Sequence, residues 1–244
     1  MTGFCGIFLR EMLIIRKRIF KMLLSLSVSP LLYMIAFGLG LGSRLEVENV
    51  RYMTFLVPGL IAMSTMSQSF AISSEINISR FYWRIFEEFQ ASPVSSLAIA
   101  LGETLSGIVR GLMAAGVIIV LGIIFGVNLR LSFFLWISIW VNAFIFSALA
   151  VNTAMLVKSH ADQAMLSNFV IIPMAFLCGT FFSTSTLPPW AYYVIQALPL
   201  THTSKMIRAS ALGYPMPWVS FFVALGFGLV FFVSSIYTVK RAQV

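Results

Sequence analysis

The sequence contains few charged residues and only two cysteines. Charged side chains make up 10% of its 244 residues, whereas ordinary soluble chains carry roughly 25%. With a hydrophobic fraction of 59% and a mean hydropathy of +0.96, the composition indicates an integral membrane protein. Cys5 and Cys178 do not have the spacing of a disulfide framework or a metal cluster. We therefore interpret both as packing residues.

Motifs for nucleotide binding and catalysis are also absent from the sequence. No glycine precedes a lysine, which excludes the P-loop that cradles nucleotide phosphates, so any ATP chemistry has to belong to another polypeptide. Neither H-E-x-x-H nor G-x-S-x-G occurs, and His160 and His202 fall on opposite predicted sides of a membrane. The sequence therefore predicts a protein that is not an enzyme and that binds no cofactor or metal directly.

Long apolar runs occupy most of the chain and predict an all-α, polytopic membrane protein. A transmembrane helix needs about 20 mainly apolar residues, and six stretches satisfy this rule: 22–42, 53–75, 96–124, 132–157, 164–182 and 217–238. Lysines and arginines flank these runs and form no stripe with interleaved aromatics, so the net charge of +8 does not indicate nucleic-acid binding. Ten of these cations fall on the side of the two termini and five on the other, which predicts cytoplasmic termini.

Residues 1–21 have the pattern of a basic amphipathic helix. Apolar side chains share one face and cations lie on the opposite face: Phe8, Met12, Ile15 and Ile19 against Arg10, Lys17 and Lys21. The apolar run that follows is too long for a signal peptide, and no A-x-A cleavage site follows it. We predict an interfacial connecting helix along the cytoplasmic surface, ahead of a transmembrane domain over residues 22–244.

The longest charged interruption between two apolar runs lies at residues 75–93. Its apolar residues recur at helical spacing before Pro93, which predicts a short amphipathic helix over 77–90 at the membrane surface. The residues of this helix that would contact a partner are Ile78, Phe81, Arg84, Ile85, Glu87, Glu88 and Phe89. Two interpretations stay open: a solvated loop that joins two spans, or a docking element for a partner.

Two charged residues, Glu103 and Arg110, lie within the third predicted span. They are seven residues apart, which places them on one helical face at a rise of about 10 Å, too far for a direct pair. Gly107 and Gly111 lie on the same side and favour close helix packing. The charges therefore either pair with neighbouring helices or line a transport pathway. Candidate polar partners in the fourth and fifth predicted spans are Asn142, Asn152 and Asn168.

Residues 183–216, before the last predicted span, mix apolar and helix-breaking residues. Prolines that include Pro188 and Pro199 divide the segment into pieces too short to cross a bilayer, and aromatics such as Trp190 suit a membrane interface. We predict a re-entrant or interfacial helical hairpin on the external face. A surface loop with aromatic anchors remains the alternative.

Two stretches of the chain, residues 86–103 and 173–209, carry a resemblance to a known family. The matching features, in order, are Ser92-Pro93-Val94-Ser95, Gly102-Glu103, Gly179-x-Phe-Phe182, Leu187-Pro188, Pro199-Leu-Thr-His202 and Arg208. Their order and spacing resemble the ABC-2 type transporter permeases, and among these the nodulation-factor and drug-resistance permeases are most similar. With six predicted spans and an amphipathic N terminus, the resemblance covers essentially the whole chain.

The resemblance implies a multi-pass permease of the bacterial inner membrane. Such a permease works as a homodimer, or with a similar permease, and is driven by two ATP-binding subunits that hold the ATP and Mg. The resemblance assigns the helix from Ile78 to Phe89 to ATPase coupling, and it implies that the first and fifth spans of two copies line a shared path. The expected cargo is an exported amphiphile, such as a lipid-linked saccharide, a glycolipid or a hydrophobic drug.

Two other functions are compatible with the sequence. A stand-alone secondary transporter or channel would need coupling-ion residues, for which Glu75, Glu103 and Arg110 are the candidates at or within span boundaries. It would also be expected to carry inverted repeats, and the halves of the chain show no convincing correspondence. A membrane assembly factor that transports nothing is the third possibility.

Overall fold

The computed structural model describes residues 2–42, 46–48, 50–82, 94–184 and 187–242. Nearly all of them are helical, as predicted. The helices are α1 (Thr2–Tyr33), α2 (Tyr52–Phe70), α3 (Ile72–Phe81), α4 (Ser96–Ile124), α5 (Phe133–Leu156), α6 (His160–Leu166), α7 (Ile172–Leu177), α8 (Pro189–Gln196), α9 (Pro199–Leu212) and α10 (Trp218–Ala242). Two π-helical segments, Met34–Leu41 and Ser167–Ile171, continue α1 and join α6 to α7. A short antiparallel pair of strands, β1 (Glu46–Val47) and β2 (Val50–Arg51), precedes α2.

Five helices in the described part of the chain are long and apolar enough to cross a membrane. They are Gly3–Gly40, Tyr52–Phe81, Ser96–Ile124, Phe133–Leu156 and Trp218–Ala242. Each contains most of one predicted span. The starts of α4 and α5 follow from serine caps, because the Ser95 and Ser132 side chains accept hydrogen bonds from the amides of Ala98 and Leu135.

The fifth predicted span, residues 164–182, is not among these five helices. The chain there forms α6, a π-helical segment and α7, and the helix ends before Gly179, whose φ is +82°. Polar Ser167 and Asn168 lie within it and Pro173 opens α7. These residues shorten and interrupt the apolar run. A membrane crossing by residues 164–182, which would make six spans in total, therefore stays a prediction.

The predicted connecting helix is not separated from the first span. The continuous helix Gly3–Gly40 has 38 residues, a length of about 57 Å at 1.5 Å per residue. A bilayer core is about 30 Å thick, so one part of α1 extends beyond it. No helix breaker interrupts the chain before Pro30, which explains the continuity.

The buried face of α1 overlaps the predicted apolar face only in part, since Ile15 belongs to both. Ile7, Glu11 and Ile15 are buried, whereas Ile19, predicted on the apolar side, is 45% exposed. The contact with α4 sets this orientation, because a Cβ on Gly102 would lie only 2.8 Å from the Ile7 side chain. In a bilayer the outward face is apolar too, so hydrophobicity alone does not show which side of the helix is packed.

The helix formed by α2 and α3 lies at the centre of the bundle. In its most apolar 18-residue stretch 83% of the residues are buried, against 22% in the corresponding stretches of the first and last long helices. Contacts between neighbouring helices define the two ends of the bundle. We call one the charged end, where α1 begins and α3 and α10 end. We call the other the hairpin end, where α8 and α9 lie. α9 packs between α2, α5 and α10.

An aromatic cluster joins α1 to the segment around α7 at the hairpin end. It consists of Tyr33, Phe37, Phe176 and Phe181, and its ring centroids lie 5.2–6.4 Å apart. Such distances are typical of favourable aromatic packing. The cluster therefore holds the far end of α1 against the predicted fifth span.

Candidate functional site

Arg10, near the start of α1, lies between two buried carboxylates at the charged end. Its Nη2 donates to Glu11 Oε1 at 2.6 Å and lies 3.7 Å from Glu103 Oε1 on α4. The side chains of Glu11 and Glu103 are only 2% and 5% exposed. Burying a carboxylate costs several kcal/mol unless a cation and hydrogen bonds compensate. Arg10 therefore stabilises both acids where α1 meets α4.

Arg110 forms a second ion pair, to the end of the central helix. Its Nη2 donates to Glu75 Oε2 at 2.5 Å, and its own side chain is 7% exposed, while that of Glu75 is 40% exposed. Side chains on a helix lean toward its N terminus, and α4 begins at the charged end, so Arg110 extends toward that end. Glu103 and Arg110 thus form their ion pairs with different helices and form none with each other.

Gly107 and Gly111 bring α4 into close contact with two neighbours. A Cβ on Gly107 would lie 2.5 Å from Ser147 Oγ on α5, and a Cβ on Gly111 would lie 2.1 Å from Ser69 Oγ on α2. No side chain larger than hydrogen fits without displacement at either position. The predicted close packing through these glycines is confirmed, and it fixes the helix that carries both charges.

Polar contacts tie the end of α3 to α5 and α6. Asn77 Nδ2 donates to Gln163 Oε1 at 3.2 Å, and Arg80 donates to the carbonyl of Ala154. Asn77 and Gln163 are fully buried. The charged end is therefore a connected surface built from α1, α3, α4, α5 and α6.

The predicted coupling helix lies only partly within the described residues. Ile78 and Phe81 belong to α3, where Ile78 is half-buried and Phe81 is 39% exposed, with the Arg80 guanidinium 5.1 Å from its ring centroid. The remaining predicted coupling residues lie outside the described residues: Arg84, Ile85, Glu87, Glu88 and Phe89. The first turn of that segment thus continues the central helix at the charged end.

The three asparagines do not pair with Glu103 or Arg110. Asn142 Nδ2 donates to the carbonyl of Ala62 at 2.8 Å, and Asn152 Nδ2 donates to the carbonyl of Phe231 at 2.6 Å. These bonds join α5 to α2 and α10 through backbone groups. Asn168 is exposed in the π-helical segment between α6 and α7. Sequence spacing did not reveal these contacts because they depend on which helices are neighbours.

Arg208 is the buried cation of the hairpin end. Its Nη2 donates to the carbonyl of Gly179 at 2.6 Å, and its guanidinium lies 3.8 Å from the ring centroid of Phe55. Burial lowers the pKa of Arg208 to about 10, and Glu48 opposes that shift. The side chain therefore stays charged at neutral pH and joins α9 to both α2 and the chain after α7.

The other predicted hairpin residues mark the ends and surface of α8 and α9. Pro188 precedes α8, Pro199 opens α9, and Trp190 is 73% exposed. His202 shares a 2.8 Å hydrogen bond with the carbonyl of Gln196. Burial lowers the pKa of His202 below its usual value, which favours the neutral ring.

Two buried residues of the charged end, Glu11 and Gln163, were missed by sequence reasoning. Glu11 carried a signal, because it is the only acid among residues 1–45, and a lone acid in a basic segment indicates a specific partner. No comparable sequence signal marked Gln163. Within the described ranges, no three metal-binding side chains come together, so the charged end offers ion pairs and helix contacts, with no metal centre among these residues.

Comparisons with known proteins give a consistent result. The family described as ABC-2 type transporter matches residues 3–212. The inner membrane transport permease YadH of Escherichia coli K12 is 28% identical over 189 residues, which cover 76% of this chain and 73% of YadH. Nodulation protein J of Rhizobium meliloti is 30% identical over 196 residues, or 77% of this chain and 72% of that protein. Nodulation protein J of Neorhizobium galegae is 29% identical over 217 residues, 84% and 80% of the two chains.

Proposed function

Because this chain belongs to the ABC-2 type transporter family, we propose that it is the permease subunit of an ATP-driven exporter of the inner membrane. The observation that carries the proposal is the family match over residues 3–212, which includes all but one of the long apolar helices. The chain has no P-loop, so ATP and Mg bind to a separate ATP-binding subunit. The cargo is an amphiphile, such as a lipid-linked saccharide, a glycolipid or a hydrophobic drug.

The ATP-binding subunits dock at the charged end, against the segment from Ile78 to Phe89. Support comes from the hydrogen bonds that fix its first turn in the bundle. Asn77 donates to Gln163, and Arg80 donates to a backbone carbonyl of α5. Force applied there reaches the central helix directly, since α3 continues α2. Two permease copies and two ATP-binding subunits form the complex.

The two permease copies meet along α1 and the predicted fifth span, which together line a shared path. Support comes from the exposed apolar residues on both segments, such as Leu24, Leu32, Phe169 and Phe176. The aromatic cluster holds these segments side by side at the hairpin end. In one copy these exposed side chains are available to lipid or to a second copy.

Charge reversal at Glu87 and Glu88 is expected to weaken binding of the ATP-binding subunit by about tenfold or more, since misplaced like charges at an interface cost several kcal/mol. The measurement is co-purification of a tagged permease with a co-expressed ATP-binding subunit, followed by cargo-stimulated ATPase activity. The control is Glu46→Lys, which reverses one charge at an exposed acid beside the hairpin end, away from the proposed dock. Unchanged co-purification and stimulation in the double variant would contradict docking at this segment. Transport by the permease without any ATPase would contradict the assignment to an ATP-driven exporter.

Both termini face the cytoplasm in this proposal, and cysteine labelling is expected to show it. In a background that carries Cys5→Ser and Cys178→Ala, a membrane-impermeant maleimide should label Tyr193→Cys in intact cells and Lys240→Cys only after lysis. Both positions are exposed, at opposite ends of the bundle. Native Cys5, also exposed, gives an independent control for the N terminus. Labelling of Lys240→Cys from outside would reverse the orientation.

A further inference from the structure

A cleft separates α1 from the central helix at the charged end. It consists of two adjoining cavities with volumes of about 300 and 580 Å³. Its wall on α1 has residues at i, i+3, i+4 and i+7, which share one helical face: Ile14, Lys17, Arg18 and Lys21. The opposite wall comes from the central helix and α4: Gln68, Glu75, Ile78, Ser79 and Arg110. We call this feature the basic cleft.

Cations exceed acids in the basic cleft, and the acids already have partners. Glu11 pairs with Arg10 and Glu75 pairs with Arg110. The three cations of the α1 wall form no ion pair or hydrogen bond with any residue that the structure describes: Lys17, Arg18 and Lys21. Their charges are therefore available to an anionic ligand.

Arg110 supplies a buried donor at the inner end of the basic cleft. Arg110 is only 6% exposed, and its Nε has no hydrogen-bond partner among the residues that the structure describes. A buried donor without a partner costs free energy, more so on a charged group. Glu75 accepts from Nη2 only. An acceptor bound in the cleft would satisfy the remaining donor.

The position and walls of the basic cleft suit an amphiphile better than a soluble anion. Lys17 and Lys21 directly precede the apolar run of residues 22–42, so they lie at the level of lipid headgroups. The cleft is also lined by Ile15 and Met22, and α1 exposes Leu24 and Val28 three and seven residues beyond Lys21. A phosphate can contact the cations while acyl chains follow α1 into the bilayer.

We infer that the basic cleft binds the phosphate headgroup of an anionic amphiphile from the leaflet at the charged end. Lys17, Arg18 and Lys21 attract the phosphate, and Arg110 donates to it from below. The inference goes beyond the proposed export function, because binding is a property of the permease alone and does not require an ATPase.

The test uses purified permease in a neutral detergent and fluorescent phosphatidic acid as the probe. The cleft variant carries Lys17→Gln, Arg18→Gln and Lys21→Gln. The matched control carries Arg16→Gln, Lys240→Gln and Arg241→Gln, three exposed cations of the same end that do not line the cleft. Both variants lose the same net charge. We expect the cleft variant to bind the probe about tenfold or more weakly than the unmodified protein, and the control to bind within about twofold.

Competition experiments identify the ligand chemistry. Unlabelled phosphatidic acid should displace the probe, and phosphatidylcholine and inorganic phosphate should not. Equal losses in the two variants would overturn the site, since they would show attraction by net charge only. Displacement by inorganic phosphate at the same concentration as lipid would overturn the assignment to an amphiphile. Melting curves of both variants establish that each is folded.

Discussion

Gly111→Leu is expected to lower the melting temperature of the detergent-solubilised protein by about 6–12 °C, because overpacking at so close a contact costs about 3 kcal/mol and each kcal/mol shifts a chain of this size by about 2–4 °C. Even a Cβ at this position would lie 2.1 Å from Ser69 Oγ and 3.1 Å from the Ala143 side chain. The larger leucine has to push α4 away from α2 and α5.

Gly116→Leu is the matched control for this prediction. It lies on the same helix, and a Cβ there meets nothing within 4 Å. Both substitutions gain the same helix propensity, so the difference between them isolates the packing cost. Thermal unfolding of the two purified variants provides the measurement. Equal melting temperatures would mean that α4 does not pack closely at Gly111.

Arg10→Met is expected to destabilise the protein by about 3–5 kcal/mol, the usual cost of removing one partner from a buried ion pair. It leaves Glu11 and Glu103 buried beside a methionine. Arg110→Met should cost less, because Glu75, with 40% of its side chain exposed, regains water when its partner is lost. The two variants remove the same charge and add the same side chain. The difference between their losses of stability therefore reflects how deeply the stranded acid is buried.

A double-mutant cycle tests the assignment of Glu103 to Arg10. Adding Glu103→Gln to Arg10→Met removes one of the two stranded acids and should recover part of the lost stability, whereas adding it to Arg110→Met should change stability by the same amount as it does alone. Thermal unfolding of the single and double variants provides the data. Coupling of Glu103 to Arg110 in place of Arg10 would contradict the arrangement of the charged end.

Transport measurements on Arg110→Met separate packing from function at the same residue. Normal folding and ATPase docking with a lost response to cargo would assign Arg110 to the transport path. Normal cargo response would leave it as a link between α4 and the central helix. The contact with Glu75 alone is compatible with both roles, and the unpartnered Nε favours a ligand.

The long apolar helices were predictable because a bilayer requires about 20 apolar residues per span whatever the tertiary structure. The α4 bounds, Ser96–Ile124, coincide with the predicted span 96–124, since Ser95 caps one end and Gly126, with φ of +75°, follows the other. Interruption by polar residues and proline made the fifth predicted span the least regular. Length and hydropathy specify where a helix runs and little about its neighbours.

The partners of the buried charges could not be derived from the sequence in the same way. Spacing along α4 showed that Glu103 and Arg110 do not pair directly, but Arg10 and Glu75 reach them from other helices. The face of α1 that packs against α4 could not be derived from the sequence for a related reason. In a soluble protein the apolar face is the buried one, whereas here Ile19 faces outward and Glu11 faces inward.

The unbroken helix from Gly3 to Gly40 is long enough to amplify a small tilt. Ile7 contacts Gly102 at one end, and Phe37, 30 residues further along, belongs to the aromatic cluster at the other. At 1.5 Å per residue these positions are about 45 Å apart, so a tilt of about 5° around the first contact moves the second by about 4 Å. A shift too small to break the charged end is thus large enough to separate Tyr33 and Phe37 from the Phe181 ring at the hairpin end.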